Sequence, residues 1–401
     1  MKSSILAAAA GLLTSPALFP ALAASSSSLS AIDTATYQGW LARQTEKAEI
    51  AETAKSAPSI PDVEPASKTE AQGEGNSQAD TEEPQMVQVP GEPDKVVATS
   101  DNSTDIPDEA GLQSADDQEG PDPFLIRLQI LLDRANTSPG VIDGFQGENT
   151  KKAIRSYEAM RNLEVDGEPD EEMWKALVVD QGRAMTTYEI AEDDLSRRYV
   201  EQIPDDYAEL AEMDWLGFHS PAEMLAEKFH MDQELLKALN PQTDFETAGD
   251  KILVAEIGDP ATTKVARIVV DKAVGTLTAY DGAGDIVLSA PATIGSEDNP
   301  SPSGKVTVVG VASEPTYSDE PGENFTQGDN TKELTIPPGP NGPVGLIWID
   351  LCKPTYGIHG TVDPALIDKS ASHGCVRLTN WDAEALGKLV QPKETQVEFT
   401  E

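Results

Sequence analysis

Residues 358–378 read IHGTVDPALIDKSASHGCVRL. The whole chain has four histidines and two cysteines, and this window holds His359, His373 and Cys375. Three chemistries fit such a cluster: a zinc site, half of a disulfide, or a nucleophile with its base. Two imidazoles and one thiolate are ligands that zinc accepts, but no acidic or sulfur fourth ligand stands beside them at a familiar spacing. The reading therefore assigns no metal. A thiol of ordinary pKa ~8.5 needs a base or a positive field to become a thiolate, and a histidine held by a second hydrogen bond supplies the base. Gly374 removes a Cβ beside Cys375 and lets backbone and substrate approach. The backbone N–H groups of Gly374 and Cys375 can then face a developing oxyanion. In an extended segment Arg377 projects to the same side as Cys375, where it can hold a carboxylate or form a structural ion pair. Spacing alone does not say which histidine is the base.

Outward from this window the pattern is that of strands. KVARIVVDKAVGTLTAYDGAGDIVLSAPATIG alternates apolar and polar residues around a turn at Ala283–Asp285. SGKVTVVGVAS and PVGLIWIDLC add further strands, and a Gly/Pro-rich segment from Glu314 to Pro343 is long enough to be a functional flap. A short helix is expected from about Trp381. The segment 264–401 is thus read as one mainly β domain. Cys352, at the end of WIDLC, is read as a small buried thiol on a strand, with a Cys352–Cys375 disulfide as the alternative.

Before it come three kinds of sequence. The start, MKSSILAAAAGLLTSPALFPALAASSSS, has Lys2, an apolar run from Ile5 to Leu13 and an Ala21-Leu22-Ala23 cleavage pattern. It reads as an export signal over 1–23, too short and Pro-broken for a good membrane span. Residues 24–121 are rich in Ser, Glu, Asp, Pro and Gly, and are read as a disordered acidic linker. Within it, YQGWLARQTEKAEIAETAKS from Tyr37 has the makings of a transient helix. In 122–181, Leu125, Leu128, Leu131 and Leu132 follow helical spacing. Asn149 and Asp170 are candidate caps for two further helices. The block 186–258 carries a capping box at Ser220–Glu223, two short helices and a strand from Lys251. His219 and His230 fall there and are read as ordinary surface or core histidines. The formal net charge of −41 excludes a nucleic-acid polyanion as partner.

Several of these stretches resemble known families. LQILLDR, PGVIDGFQGENTKKAIRSYE and VDGEPDEEMWKAL resemble the peptidoglycan-binding domain, a small three-helix fold. ALNP followed by AGDKILV resembles a degenerate LysM carbohydrate-binding module, with a plain connector as the alternative. SHGCVRLTNWDAEAL, WIDLCKPTYGIHGT and IPPGPNGPVG resemble the YkuD-type L,D-transpeptidases over about 264–398.

That last resemblance implies a β-rich catalytic domain in which Cys375 is the acylated nucleophile and His359 passes the proton. His373, Gly374, Arg377, Ser372 and Tyr356 would complete the pocket. It also implies a thioester with a peptidoglycan tetrapeptide stem, release of the terminal D-residue and transfer of the acyl group to an amine. No cofactor is needed, and carbapenems acylate such enzymes. Peptidoglycan stems and glycan are the expected partners, the periplasm the expected location, and the export signal the one expected membrane contact. The alternatives are an L,D-carboxypeptidase that uses water, and a non-catalytic wall-binding protein.

Overall fold

The computed structural model describes residues 28–56, 120–179, 181–295, 300–321, 330–369 and 374–401. The expected export signal, most of the acidic linker and the Ser372–His373 pair lie outside the described residues.

Two helices come first, α1 over 28–34 and α2 over Tyr37–Ser56. The start of this stretch corrects the linker expectation. Ile32 is 1% exposed and Trp40 is 8% exposed. Trp40 stacks on Phe124 at 5.1 Å, Arg127 donates to the Ala35 carbonyl at 2.6 Å, and Asp33 Oδ1 accepts from the Ala184 and Met185 amides. Average composition hid this segment. Two large apolar side chains suffice when the surface they cover is already built, because burial stabilises by roughly 1.5–3 kcal/mol for each such side chain.

Three helices follow, α3 (Pro123–Arg134), α4 (Glu148–Arg161) and α5 (Glu171–Leu177). Asp170 caps α5 as its sequence suggests, accepting from Met173 N at 2.7 Å. Asn149 does not cap α4. Gly147 holds that position without a side-chain bond, and Asn149 Nδ2 donates instead to Ile367 O at 3.0 Å. The two Asp-Gly turns are held by buried polar residues of the preceding helices. Gln129 Oε1 accepts from Asp143 N and Gly144 N, and Glu158 Oε2 accepts from Asp166 N and Gly167 N. Each pairing satisfies two backbone donors that a tight turn would otherwise strand.

The next block pairs β1 (Met185–Glu189) antiparallel with β2 (Lys251–Ala255). Between them run α6 (Glu192–Leu195), α7 (Tyr207–Leu210), α8 (Pro221–Lys228) and α9 (Gln233–Leu239). Ser220 caps α8 by accepting from Glu223 N at 3.3 Å. The reciprocal bond of the capping box goes one residue further out, with Glu223 Oε2 accepting from His219 N at 2.6 Å. His219 also contacts the Val200 carbonyl, and His230 pairs with Asp133 while stacking on Trp381 at 5.0 Å. Both are structural.

The rest of the chain is a curled eight-stranded sheet in the order β11-β10-β9-β6-β12-β3-β4-β5. Its strands are β3 (Arg267–Asp271), β4 (Thr276–Tyr280), β5 (Ile286–Pro291), β6 (Gly304–Ser313), β9 (Ile347–Leu351), β10 (Gly357–His359), β11 (Val376–Arg377) and β12 (Gln396–Thr400). Strand β6 is the pivot. Its first residues pair with β12, its last with β9, and the register shifts between Val308 and Gly310. A bulge there bends the strand and lets one sheet wrap a core. Helix α10 (Asn380–Leu389) packs on β9 and β10 and contributes Ala383, Leu386 and Leu389 to that core. The flap segment contains a small hairpin of β7 (Tyr317–Asp319) and β8 (Leu334–Ile336). Ile336 and Tyr317 pack on Leu210 and Tyr207 of the α7 region.

Both preceding blocks touch the β domain. Lys152 of α4 pairs with Asp368, Ser138 donates to Asp382 at 2.9 Å, and Asn341 donates to Glu223 at 2.8 Å.

Candidate active site

Strand β10 lies between β9, to which it is antiparallel, and β11, to which it is parallel. The chain leaves β10 at Gly360 and returns at Val376, so the window of the opening quotation is the crossover between two neighbouring strands. The register sets His359 opposite Arg377 and Ile358 opposite Val376. Side chains alternate along a strand. His359 and Arg377 therefore share a face, and Cys375, two residues before Arg377, enters on it.

His359 is 3% exposed. Its Nδ1 lies 2.7 Å from Gly360 O, and a carbonyl can only accept, so Nδ1 carries the proton and Nε2 keeps its lone pair. Trp348, its cross-strand neighbour on β9, stacks on the ring at 5.6 Å and 19°. Burial, with the Arg377 charge second, pushes the imidazole pKa down to about 3.

Cys375 is half-buried. Its Sγ lies 3.6 Å from the Thr355 carbonyl, and the Gly357 N–H faces it from β10. Thr355 itself has φ +69°, uncommon for a β-branched residue. Burial pushes the thiol up, with the Gly357 N–H and Arg377 acting the other way. Burial thus favours the neutral form of each group, the thiol of Cys375 and the imidazole of His359.

Gly374 has φ +105°, and a Cβ there would lie 2.9 Å from Tyr356 Cε1. Its carbonyl accepts from buried Ser301 Oγ at 2.7 Å. Tyr356, which the family resemblance places near the pocket, packs against the cysteine turn at Gly374. Arg377 is tied through its backbone to Thr293 in both directions, at 2.9 and 3.0 Å. The structure thus brings together His359, Tyr356, Gly374, Cys375 and Arg377.

Cys352 departs from expectation. It is exposed, just past the end of β9, with Thr307 N donating to its Sγ at 3.3 Å. Both cysteines carry thiols rather than a shared disulfide.

A cleft that the sequence did not announce adjoins the site, sharing Arg377 with it but lined by neither His359 nor Cys375. This cleft of about 720 Å³ has Arg377, Thr361 and Asp363 on the β-domain side. Tyr207 of α7, Glu223 and Glu227 of α8, and Asp232 and Glu234 at the start of α9 line the other side. The Arg377 charge reaches the Tyr207 hydroxyl, whose pKa burial raises to about 12. Carboxylates thus outnumber the arginine, and all but Asp363 come from a block that carries no sequence motif for this chemistry.

The neutral pair has a consequence for pH. If, as the resemblance implies, Cys375 is acylated with His359 as its base, a base that protonates only near pH 3 gives no acid limb at pH 6–7, and the acylation rate is expected to be flat from about pH 8 down to about pH 5. Stopped-flow acylation by a carbapenem across that range checks this. A half-maximal fall at pH 6–7 would mean that the resting pair is thiolate and imidazolium.

Residues 265–399 match the family described as the YkuD L,D-transpeptidase catalytic domain, and residues 122–177 match the family described as "Putative peptidoglycan binding domain". A Bacillus licheniformis protein, "Putative L,D-transpeptidase YkuD", is 29% identical over 180 residues, which cover 44% of this chain and 92% of that protein. That alignment is longer than the catalytic match, so the similarity extends into the preceding block. The protein of the same description from Bacillus subtilis is 48% identical over 58 residues, 14% of this chain and 35% of its own length. Among solved structures, L,D-transpeptidase 3 from Mycobacterium tuberculosis is similar at 16% identity and a TM-score of 0.28, covering 38% of this chain and 76% of that one. The chain thus carries a YkuD-type L,D-transpeptidase catalytic domain over residues 265–399 and a peptidoglycan-binding domain over residues 122–177.

Proposed function

We propose that the protein is an exported, periplasmic enzyme that cross-links peptidoglycan through a thioester on Cys375. The observation that carries this reading is the parallel pairing of β10 with β11, with His359 opposite Arg377 and Cys375 entering the same face. In the first step Cys375 Sγ attacks the carbonyl of the L-centre that precedes the terminal D-residue. Its proton passes to His359 Nε2, and the Gly374 and Cys375 amides receive the oxyanion. The C–N bond then breaks, the imidazolium gives its proton to the leaving amine, and the D-residue departs. An acceptor amine attacks the thioester, loses its proton to His359, and releases the thiol. Arg377 holds a stem carboxylate near the reacting carbonyl.

The carboxylates of the cleft favour a positively charged acceptor over water, since Asp205, Glu223, Asp232, Glu234 and Asp363 all line it. The 185–255 block pairs β1 with β2 around four short helices, and on its sequence resemblance to a LysM module we assign it glycan binding beside the helical domain.

Incubation of the full chain with a disaccharide-tetrapeptide tests the proposal. Mass spectrometry is expected to show a dimer that has lost one terminal D-residue, and an acyl-enzyme at Cys375. A tripeptide as the only product would make the protein a carboxypeptidase. No adduct and no product would leave a wall-binding protein.

A further inference from the structure

We infer that Glu227, on α8 of the block that precedes the catalytic domain, is a positioning residue for the catalytic histidine, acting through Asn380 and Gly360. The inference rests on the acyl-transfer reading above and adds to it a part of the machinery that lies outside the catalytic domain.

Asn380 stands at the first turn of α10 and is 2% exposed. Its Nδ2 donates to Glu227 Oε2 at 3.0 Å and to Pro340 O at 3.3 Å. The Pro340 carbonyl can only accept, which fixes the amide orientation: the oxygen must face the other way, where it accepts from Leu346 N at 3.3 Å. On that side two backbones close on the amide. A Cβ on Gly345 or on Gly360 would stand 2.1 Å from Asn380 Oδ1. Gly360 is therefore seated against the amide oxygen, and its own carbonyl receives the proton of His359 Nδ1.

Glu227 and the Pro340 carbonyl thus set the amide, the amide seats Gly360, and the Gly360 carbonyl keeps the Nε2 lone pair of His359 available. If the amide turns, the Nδ1–H loses its acceptor, and the ring becomes free to adopt the Nε2–H tautomer, which cannot take a proton from the thiol. Burial, with Glu223, Glu384 and Asp363 adding to it, raises the Glu227 carboxyl to about 8. At neutral pH the group is the uncharged acid, whose carbonyl oxygen still accepts from Asn380. Glutamine is the close mimic of that state. Aspartate retains the acid but falls one methylene short.

The test compares Glu227→Gln and Glu227→Asp in the full chain. With a tetrapeptide donor, Glu227→Asp is expected to lower the rate at saturating substrate about tenfold, with KM within about twofold. Glu227→Gln is expected to stay within about twofold of the parent. Nitrogen-15 NMR of the His359 ring supplies the second readout: the single Nδ1–H tautomer in the parent and in Glu227→Gln, and a mixture in Glu227→Asp. The inference is overturned if folded Glu227→Asp keeps both the parent rate and the parent tautomer, or if Glu227→Gln falls as far as Glu227→Asp. A parent protein that forms no acyl-enzyme at all would instead overturn the function on which the inference rests.

Discussion

Cys375→Ala is expected to abolish the covalent adduct, and Cys375→Ser to come close to doing so. The alanine result follows from loss of the nucleophile, a change on the order of 10⁴-fold or more in acyl-transfer enzymes. The serine result depends on this site in particular. An imidazole whose pKa is pushed down to about 3 is a weak base. It can accept a proton from a thiol as the polarisable sulfur attacks, but a hydroxyl, several pKa units less acidic, asks more of it. Mass spectrometry of each full-length variant after incubation with a carbapenem reads this directly. Cys352→Ala is the matched control: Cys352 is exposed at the end of β9 and should leave the rate of adduct formation within about twofold. An adduct that persists in Cys375→Ala and vanishes in Cys352→Ala would move the nucleophile to the other thiol.

The candidate site was legible in the sequence wherever its residues are close together along the chain. His359, Gly374, Cys375 and Arg377 fall within one crossover between two paired strands, so a single window holds them. Cys352 was misread although its signal was present. Ile347, Ile349 and Leu351 are buried while Trp348 and Asp350 are less so, and continuing that alternation turns residue 352 outward. Tyr207 and Glu227 had no such signal. They reach the cleft because the block before the catalytic domain docks on it, and docking follows from surface shape and hydrogen bonds, with no periodic pattern to reveal it. Asn380 lies one residue before the helix start expected at about Trp381; its role needs the two glycines that close on it from other parts of the chain. Trp40 shows the converse error. Composition averaged over 24–121 is that of a solvated chain, yet one short apolar stretch docks on a hydrophobic face that the rest of the protein has already formed.

His359→Asn separates the two things that His359 does. With its amide nitrogen where the Nδ1–H stands, the asparagine can still donate to Gly360 O, so the turn keeps its bond while the base is gone. The acylation rate is expected to fall by roughly 10²–10⁴-fold, the range that a positioned acid-base group contributes, while the thiol remains open to small alkylating agents. The same substitution should change the response of stability to acid. In the folded protein the imidazole resists protonation until about pH 3, whereas in the unfolded chain it binds a proton near pH 6.5. The unfolded state therefore binds more protons between those limits, and the neutral buried ring favours folding fully only above about pH 6.5. As pH falls from there toward 3 this contribution is lost, about 2 kcal/mol of it by pH 5. Denaturant titrations at pH 7 and pH 5 should show that loss in the parent and a smaller one in His359→Asn. Equal acid sensitivity in the two proteins would mean that His359 is charged in the folded state, and an imidazolium at rest cannot take the proton of Cys375.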